Sequence, residues 1–212
     1  MYDYLRTRKE ATIFIHNDNP YLKKIAYGLH QIAYGSEDEL YINGHVTGNS
    51  PYLTFEWKTG NESKYHEVQT QLIGEYNFPN ALAAVTIGHF FGVEPEQIDK
   101  ALAGYTPQNN RSQLKKTADN TLIIDAYNAN PTSMMASISN FRNMQAKNKM
   151  LILGDMRELG KDSADEHQKI ADYLEECGFK DVALVGKLFA ATRHSYQSYP
   201  DVTAVSYTHL RA

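Results

Sequence analysis

The chain has 212 residues, 42% of them apolar, and a formal net charge of −4. That suits one large or two modest domains with a proper core, and the charge balance excludes a basic surface for nucleic acid. A single cysteine, Cys177, excludes an internal disulfide framework and fits a reducing, cytoplasmic compartment, and no run of about eighteen apolar residues offers a membrane span.

The N-terminus, MYDYLRTRKEATIF, is charged and has no apolar signal core. It starts abruptly, close to a strand, and the chain reads as a piece of a longer protein. Ala11–Ile15 predicts a strand, followed by the polar turn His16-Asn17-Asp18-Asn19 and a helix opened by Pro20 and running to about Tyr27. Asn17–Asn19 fit a turn with a helix cap better than a ligand contact. From Ile32 to Ile73 the texture changes. Glu39–Val46, Tyr52–Lys58 and Glu67–Ile73 alternate β-branched and aromatic residues between Gly- and Asn-rich turns, which predicts a small antiparallel meander. Trp57 is expected to pack on one sheet face, and His45 and His66, lacking partners at metal-ligand spacing, are expected at the surface of their strands. A helix then runs from the NFPNALAA segment to about Phe91, stopped by Gly92, and Pro95 opens another that ends near Leu102. A domain boundary is placed near Asn109.

Beyond it, strands and helices alternate. Ser112–Thr117 and, more firmly, Thr121–Ile124 predict strands, Pro131 to about Met144 a helix, Lys149–Leu153 a strand, Ser163–Cys177 a helix and Asp181–Val185 a strand. That order implies a parallel, right-handed βαβ sheet. From Val205 the pattern breaks, and the tail is more similar to translated adapter sequence than to native protein.

The stretch TLIIDAYNANP, Thr121–Pro131, organises this half. Leu122–Ile124 is expected as a buried strand. Asp125, Tyr127, Asn128 and Asn130 follow at its carboxyl end, where open α/β sheets bind ligands. A carboxylate there can accept from ribose hydroxyls and a tyrosine ring can cover a base or sugar. The plainer alternative is an Asx-rich turn capping the next helix.

Four segments line up in chain order: GEYNFPNALAA (Gly74–Ala84), Arg111 in the linker, IDAYNANP (Ile124–Pro131) and LGDMRELG (Leu153–Gly160). Together they resemble the Mur ligases, the ATP-dependent amide-forming enzymes of peptidoglycan (cell wall) synthesis. Within that family the AYNANP and GDMRELG segments resemble the branch that adds D-alanyl-D-alanine to UDP-N-acetylmuramoyl-tripeptide. The resemblance implies an α/β chain in which residues 1–109 end a central ATPase domain (antiparallel meander plus helices). Residues 110–205 would form an incomplete Rossmann-like parallel domain, with 206–212 a non-native tail. It implies ATP and Mg²⁺ as cofactors, two peptide substrates (the UDP-linked tripeptide and D-alanyl-D-alanine), a monomer, and neither nucleic acid nor membrane as partner. The family's phosphate loop, G-x-x-G-K-[ST], and its metal ligands would lie upstream of Met1, so no metal ligand is assigned here and the chain alone is expected to be inactive.

By the same resemblance Asn77 and Asn80 contact adenine, although Tyr76 stands where the family has His. Arg111, in NNRSQ rather than a PGR context, reaches the ATP phosphates and is the catalytic candidate. Asp125 binds ribose, Tyr127 and Asn128 pack beside the nucleoside, and Asn130, Asp155, Arg157, Glu158 and His167 border the incoming dipeptide. Plainer readings stand beside each. Asn80 can be a helix cap, Asn77 a backbone partner in the same turn, and Arg111 a solvated cation. Asn130 can orient its turn, Arg157 can pair with Glu158 or Asp155, and His167 can be an ordinary helix residue. The rival functions are another Mur-type ligase or a folylpolyglutamate ligase, and a non-catalytic nucleotide-binding module.

Overall fold

The computed structural model describes residues 1–108, 110–126 and 128–204. Two compact units emerge. One comprises residues 1–108 and 112–123, the other 109–111 and 124 onward.

In the first unit, α1 (Tyr2–Arg6) precedes β1 (Thr12–His16), α2 (Pro20–Ile25), β2 (His30–Gly35), β3 (Ile42–Asn49), β4 (Tyr52–Thr59) and β5 (His66–Ile73). The strands form one five-stranded sheet in the order β1-β2-β3-β4-β5. The expected meander is its antiparallel part, β3-β4-β5. The sheet is mixed, because β2 pairs in parallel with both β1 and β3. Sequence reading missed β2. Its first two residues are exposed and its last two buried, so it shows neither alternation nor a continuous apolar run. Pro20 opens α2 as expected, with Asn19 as its cap. The Asn19 side-chain oxygen accepts from the Tyr21 and Leu22 N–H groups, both at 3.1 Å.

α3 (Phe78–Phe90) and α4 (Pro95–Gly104) complete the layer. Leu82, Val85 and Ile98 pack with Phe55, Trp57, Leu53 and Ile42 into one core, each burial stabilising the unit by about 1.5–3 kcal/mol for an aliphatic or Phe side chain. Trp57 is fully buried. Its indole N–H donates to Asp99 at 2.7 Å, which ties α4 to the sheet. His45 lies exposed on its strand as expected. His66 does not: it is half-buried, stacked on Trp57 at 4.6 Å with its Nδ1 3.2 Å from the other Asp99 oxygen. An indole face and an acceptor beside a polar aromatic ring explain that placement.

The linker leads into β6 (Gln113–Lys116) and β7 (Thr121–Ile124), which among the described residues form a two-stranded ribbon of their own. This corrects the expectation that Leu122–Ile124 is a buried strand of the parallel sheet. Leu122 is 39% exposed. A local clip explains the pairing. The Thr117 N–H donates to the Asn120 carbonyl at 2.8 Å, and the Thr117 hydroxyl accepts from the Asn120 N–H at 3.0 Å. A short apolar run carries no period that could distinguish such a ribbon from a core strand.

In the second unit α5 (Pro131–Asn143), β8 (Met150–Gly154), α6 (Ser163–Glu176), β9 (Asp181–Val185), α7 (Lys187–Ala190) and β10 (Gln197–Tyr199) follow in order. The three strands are parallel, in the order β10-β9-β8. β9 is buried from Val182 to Val185, as a central parallel strand must be when both faces are covered. Met134 and Ile138 of α5 and Ile170 and Leu174 of α6 pack with Met156, Leu184 and Phe189 into the second core. α7 and β10 were not anticipated from sequence. The tail from Val205 lies outside the described residues.

Candidate functional site

Of the predicted residues, Asn77 and Asn80 fall in the first unit and the others in the second. Asn77 occupies the cap position of α3 without a capping bond from its side chain. Its amide instead donates to the Ile73 carbonyl at 2.8 Å, the backbone role weighed above, which leaves its side-chain oxygen as an acceptor. Asn80 is no cap. It is exposed in the first turn of α3. Tyr76, the departure from the family's histidine, reaches the buried Ser112, with the two hydroxyl oxygens 2.8 Å apart.

Arg111 is exposed and sits between two residues with left-handed backbone, Asn110 at φ 57° and Ser112 at φ 45°. Such conformations cost non-glycine residues on the order of 1 kcal/mol or more and persist where neighbours enforce them. Here the Asn110 carbonyl accepts from the Ala126 N–H at 2.8 Å, while Ser112 is held by Tyr76. A guanidinium on a backbone so constrained is unlike an ordinary linker cation. Nothing in the sequence marked Ser112 or Tyr76 as a pair, since they stand 36 positions apart.

Asp125 and Asn128 are exposed just beyond β7, and Tyr127 lies outside the described residues. Asn130 is a cap in full. Its side-chain oxygen accepts from the Ser133 N–H at 2.9 Å, and Ser133 closes the reciprocal bond of a capping box. Proline at the next position suits the start of α5. This is the plainer of the two readings for Asn130.

Asp155, Arg157, Glu158 and His167 form one local arrangement at the carboxyl end of β8. The Asp155 carboxylate accepts from the Leu188 N–H at 3.0 Å and the Phe189 N–H at 2.9 Å, one on each oxygen. It thereby anchors the N-terminus of α7, where negative charge is favoured. Gly186 makes room for it, since a Cβ there would fall on the carboxylate. His167 is fully buried. Its Nδ1 lies 2.6 Å from the Ser163 carbonyl and its Nε2 3.0 Å from the Met156 amide nitrogen. A carbonyl cannot donate, so Nδ1 carries the hydrogen and Nε2 accepts from Met156. The ring is therefore neutral, and its 3.9 Å approach to Asp155 is proximity rather than an ion pair. The contacts shown for both residues hold the fold, and His167 lies in the core. Arg157 and Glu158 are exposed. Among the described residues they pair neither with each other nor with Asp155.

The chemistry of the exposed set suits a nucleoside triphosphate: amides for a base edge, a carboxylate for a ribose diol, a guanidinium for phosphate. A metal does not fit in the same way. Among the described residues no group of three or more His, Cys, Asp or Glu side chains converges to hold one.

Comparison with known proteins bears on the same segments. The model of the Mur ligase glutamate ligase domain matches residues 110–207. UDP-N-acetylmuramoyl-tripeptide–D-alanyl-D-alanine ligase of Bacillus subtilis is 39% identical over 121 residues, 56% of this chain and 26% of that protein. Residues 110–207 belong to the Mur ligase, glutamate ligase domain family. The corresponding ligase of Buchnera aphidicola is 29% identical over 195 residues, 87% of this chain and 41% of that one. The chain thus spans less than half the length of these Mur ligases. Among solved structures, MurF ligase from Thermotoga maritima in complex with ADP superposes with a TM-score of 0.80 at 16% identity, covering 97% of this chain and 48% of that one. That similarity supports the Mur ligase fold for both units.

Proposed function

We propose that the protein containing this chain is the Mur ligase that joins D-alanyl-D-alanine to UDP-N-acetylmuramoyl-tripeptide in peptidoglycan synthesis, in the cytoplasm, driven by ATP. The observation that carries the reading is the similarity of a chain holding the four segments to relatives that bear that name, 39% identical over 121 residues and 29% over 195. In this reading ATP phosphorylates the tripeptide carboxylate, the dipeptide amine attacks the acyl phosphate, and phosphate leaves. Asp125 accepts from the ribose hydroxyls, Asn77 and Asn80 present amides to the base, and Asn128 lies beside the nucleoside. Arg111 neutralises charge as the γ-phosphoryl group moves, the kind of electrostatic work on which phosphoryl transfer depends. Magnesium supplies further charge neutralisation, and no residue of this chain is assigned to it.

Asn77 and Asn80 belong to the first unit and Arg111, Asp125 and Asn128 to the second. The test is ligation by the intact protein. Incubation with ATP, Mg²⁺, the UDP-linked tripeptide and D-alanyl-D-alanine should release phosphate and give the pentapeptide mass. Release that does not depend on the dipeptide, or a product formed with glutamate or a diamino acid in its place, would assign the chain to another branch of the family.

A further inference from the structure

Arg157 and Glu158 are the exposed charges of the loop after β8, and the backbone that carries them is pinned from beneath. Met156, the residue before Arg157, is fully buried by its side chain, and its N–H is received by the buried His167. His167 in turn is fixed by the Ser163 carbonyl at 2.6 Å and by the edge of Phe189, 4.7 Å between centroids. Asp155, one residue earlier, is locked to α7. Leu159, after Glu158, packs against the second core. The two exposed side chains therefore stand on a short span whose every flanking residue is tied to the core, which is how a binding group is preorganised.

We infer that His167 is a positioning residue: through Met156 it fixes the backbone from which Arg157 and Glu158 meet the dipeptide substrate, without touching substrate itself. The inference rests on the ligase reading above, and it assigns the ligand-facing role in this loop to Arg157 and Glu158 rather than to Asp155 or His167. A cation and a carboxylate on adjacent residues suit a zwitterionic dipeptide, which offers one carboxylate and one amine.

Two near-isosteric substitutions separate positioning from bulk stability. Asparagine places its amide where Nδ1 lies, so His167→Asn keeps the donor to Ser163 and loses the acceptor for Met156. Glutamine reaches the Nε2 position, so His167→Gln keeps the acceptor for Met156 and loses the donor to Ser163. Each removes one bond, so both should lower the melting temperature of the intact protein to a similar degree. In steady-state ligation His167→Asn should raise the KM for D-alanyl-D-alanine roughly tenfold, since small misplacement of a binding group costs on that order, with the KM for ATP unchanged. His167→Gln should stay within roughly threefold of the unsubstituted protein on the same grounds. Amide exchange should quicken at Met156 and Arg157 in the Asn variant and not in the Gln variant. Equal effects of the two variants on the dipeptide KM, or equal exchange, would overturn the inference and leave His167 as core packing only. Ligation by the unsubstituted protein is the separate control: its absence would overturn the ligase reading, and with it the substrate assigned to this loop.

Discussion

Asp155→Asn isolates the anchor of α7. In the native protein each carboxylate oxygen takes one backbone N–H, from Leu188 and Phe189. An asparagine of the same shape keeps one acceptor and turns an N–H₂ toward the other donor. Hydrogen bonds to a charged group contribute about 1.5–3 kcal/mol each, and the Asp155 side chain is only 16% exposed, so solvent weakens this little. Loss of one bond should therefore cost about 2 kcal/mol locally. α7 is four residues long, far too short to hold itself, so the cost should surface as opening of this helix. At about 1.4 kcal/mol per tenfold change in an equilibrium, amide exchange at Leu188 and Phe189 should quicken roughly thirtyfold, with exchange in β4 and α3 of the first unit unchanged. Hydrogen exchange read by NMR or by mass spectrometry of overlapping peptides in the intact protein makes the measurement. Gly186→Ala should give the same signature by a different route, because its Cβ would take the carboxylate's place. Unaltered exchange at positions 187–190, together with a raised KM for the dipeptide, would refute the anchor and return Asp155 to the substrate.

Two further outcomes test the nucleotide reading in the intact protein. Asp125→Ala should raise the KM for ATP with the unfolding midpoint nearly unchanged, since Asp125 is exposed and a lost ligand hydrogen bond costs on the order of 1 kcal/mol. A drop of several degrees with unaltered ATP affinity would make it a turn residue. Arg111→Lys keeps the charge and loses the planar fork. It should slow turnover roughly tenfold or more and spare AMP binding, whereas equal loss of both would mean that Arg111 holds the linker.

Much of the fold was legible because punctuation and period agree. Pro20, Pro79, Pro95 and Pro131 all lie within the first two residues of helices, and β4 alternates half-buried and buried residues along Tyr52–Trp57. The elements that escaped are those whose stability is not local. β2 exists because β1 and β3 supply parallel partners on both sides. α7 exists because Asp155, 33 positions away from Leu188, receives its first amides. Leu122–Ile124 failed in the opposite sense: its composition announced a core strand, yet the Thr117–Asn120 clip commits it to a nearby partner.

The same distinction sorts the site. Motif reading could find Asp155 because it stands in the segment Leu153–Gly160, and His167 because it opens the helix that follows, but a motif does not say whether a residue faces ligand or core. Polar satisfaction does. The Asn130 oxygen accepts from Ser133 in a capping box, Asp155 accepts one backbone amide on each oxygen, and His167 has both ring nitrogens engaged. Of the three, His167 alone has both of its ring nitrogens committed inside the fold. Arg157, Glu158, Asn128 and Asn80 are exposed, and no bond or ion pair engages their side chains within the described residues. Hydrogen-bond accounting in the folded chain thus separates residues whose side chains hold the loop from residues whose side chains are exposed on it, a distinction that spacing in the sequence cannot draw.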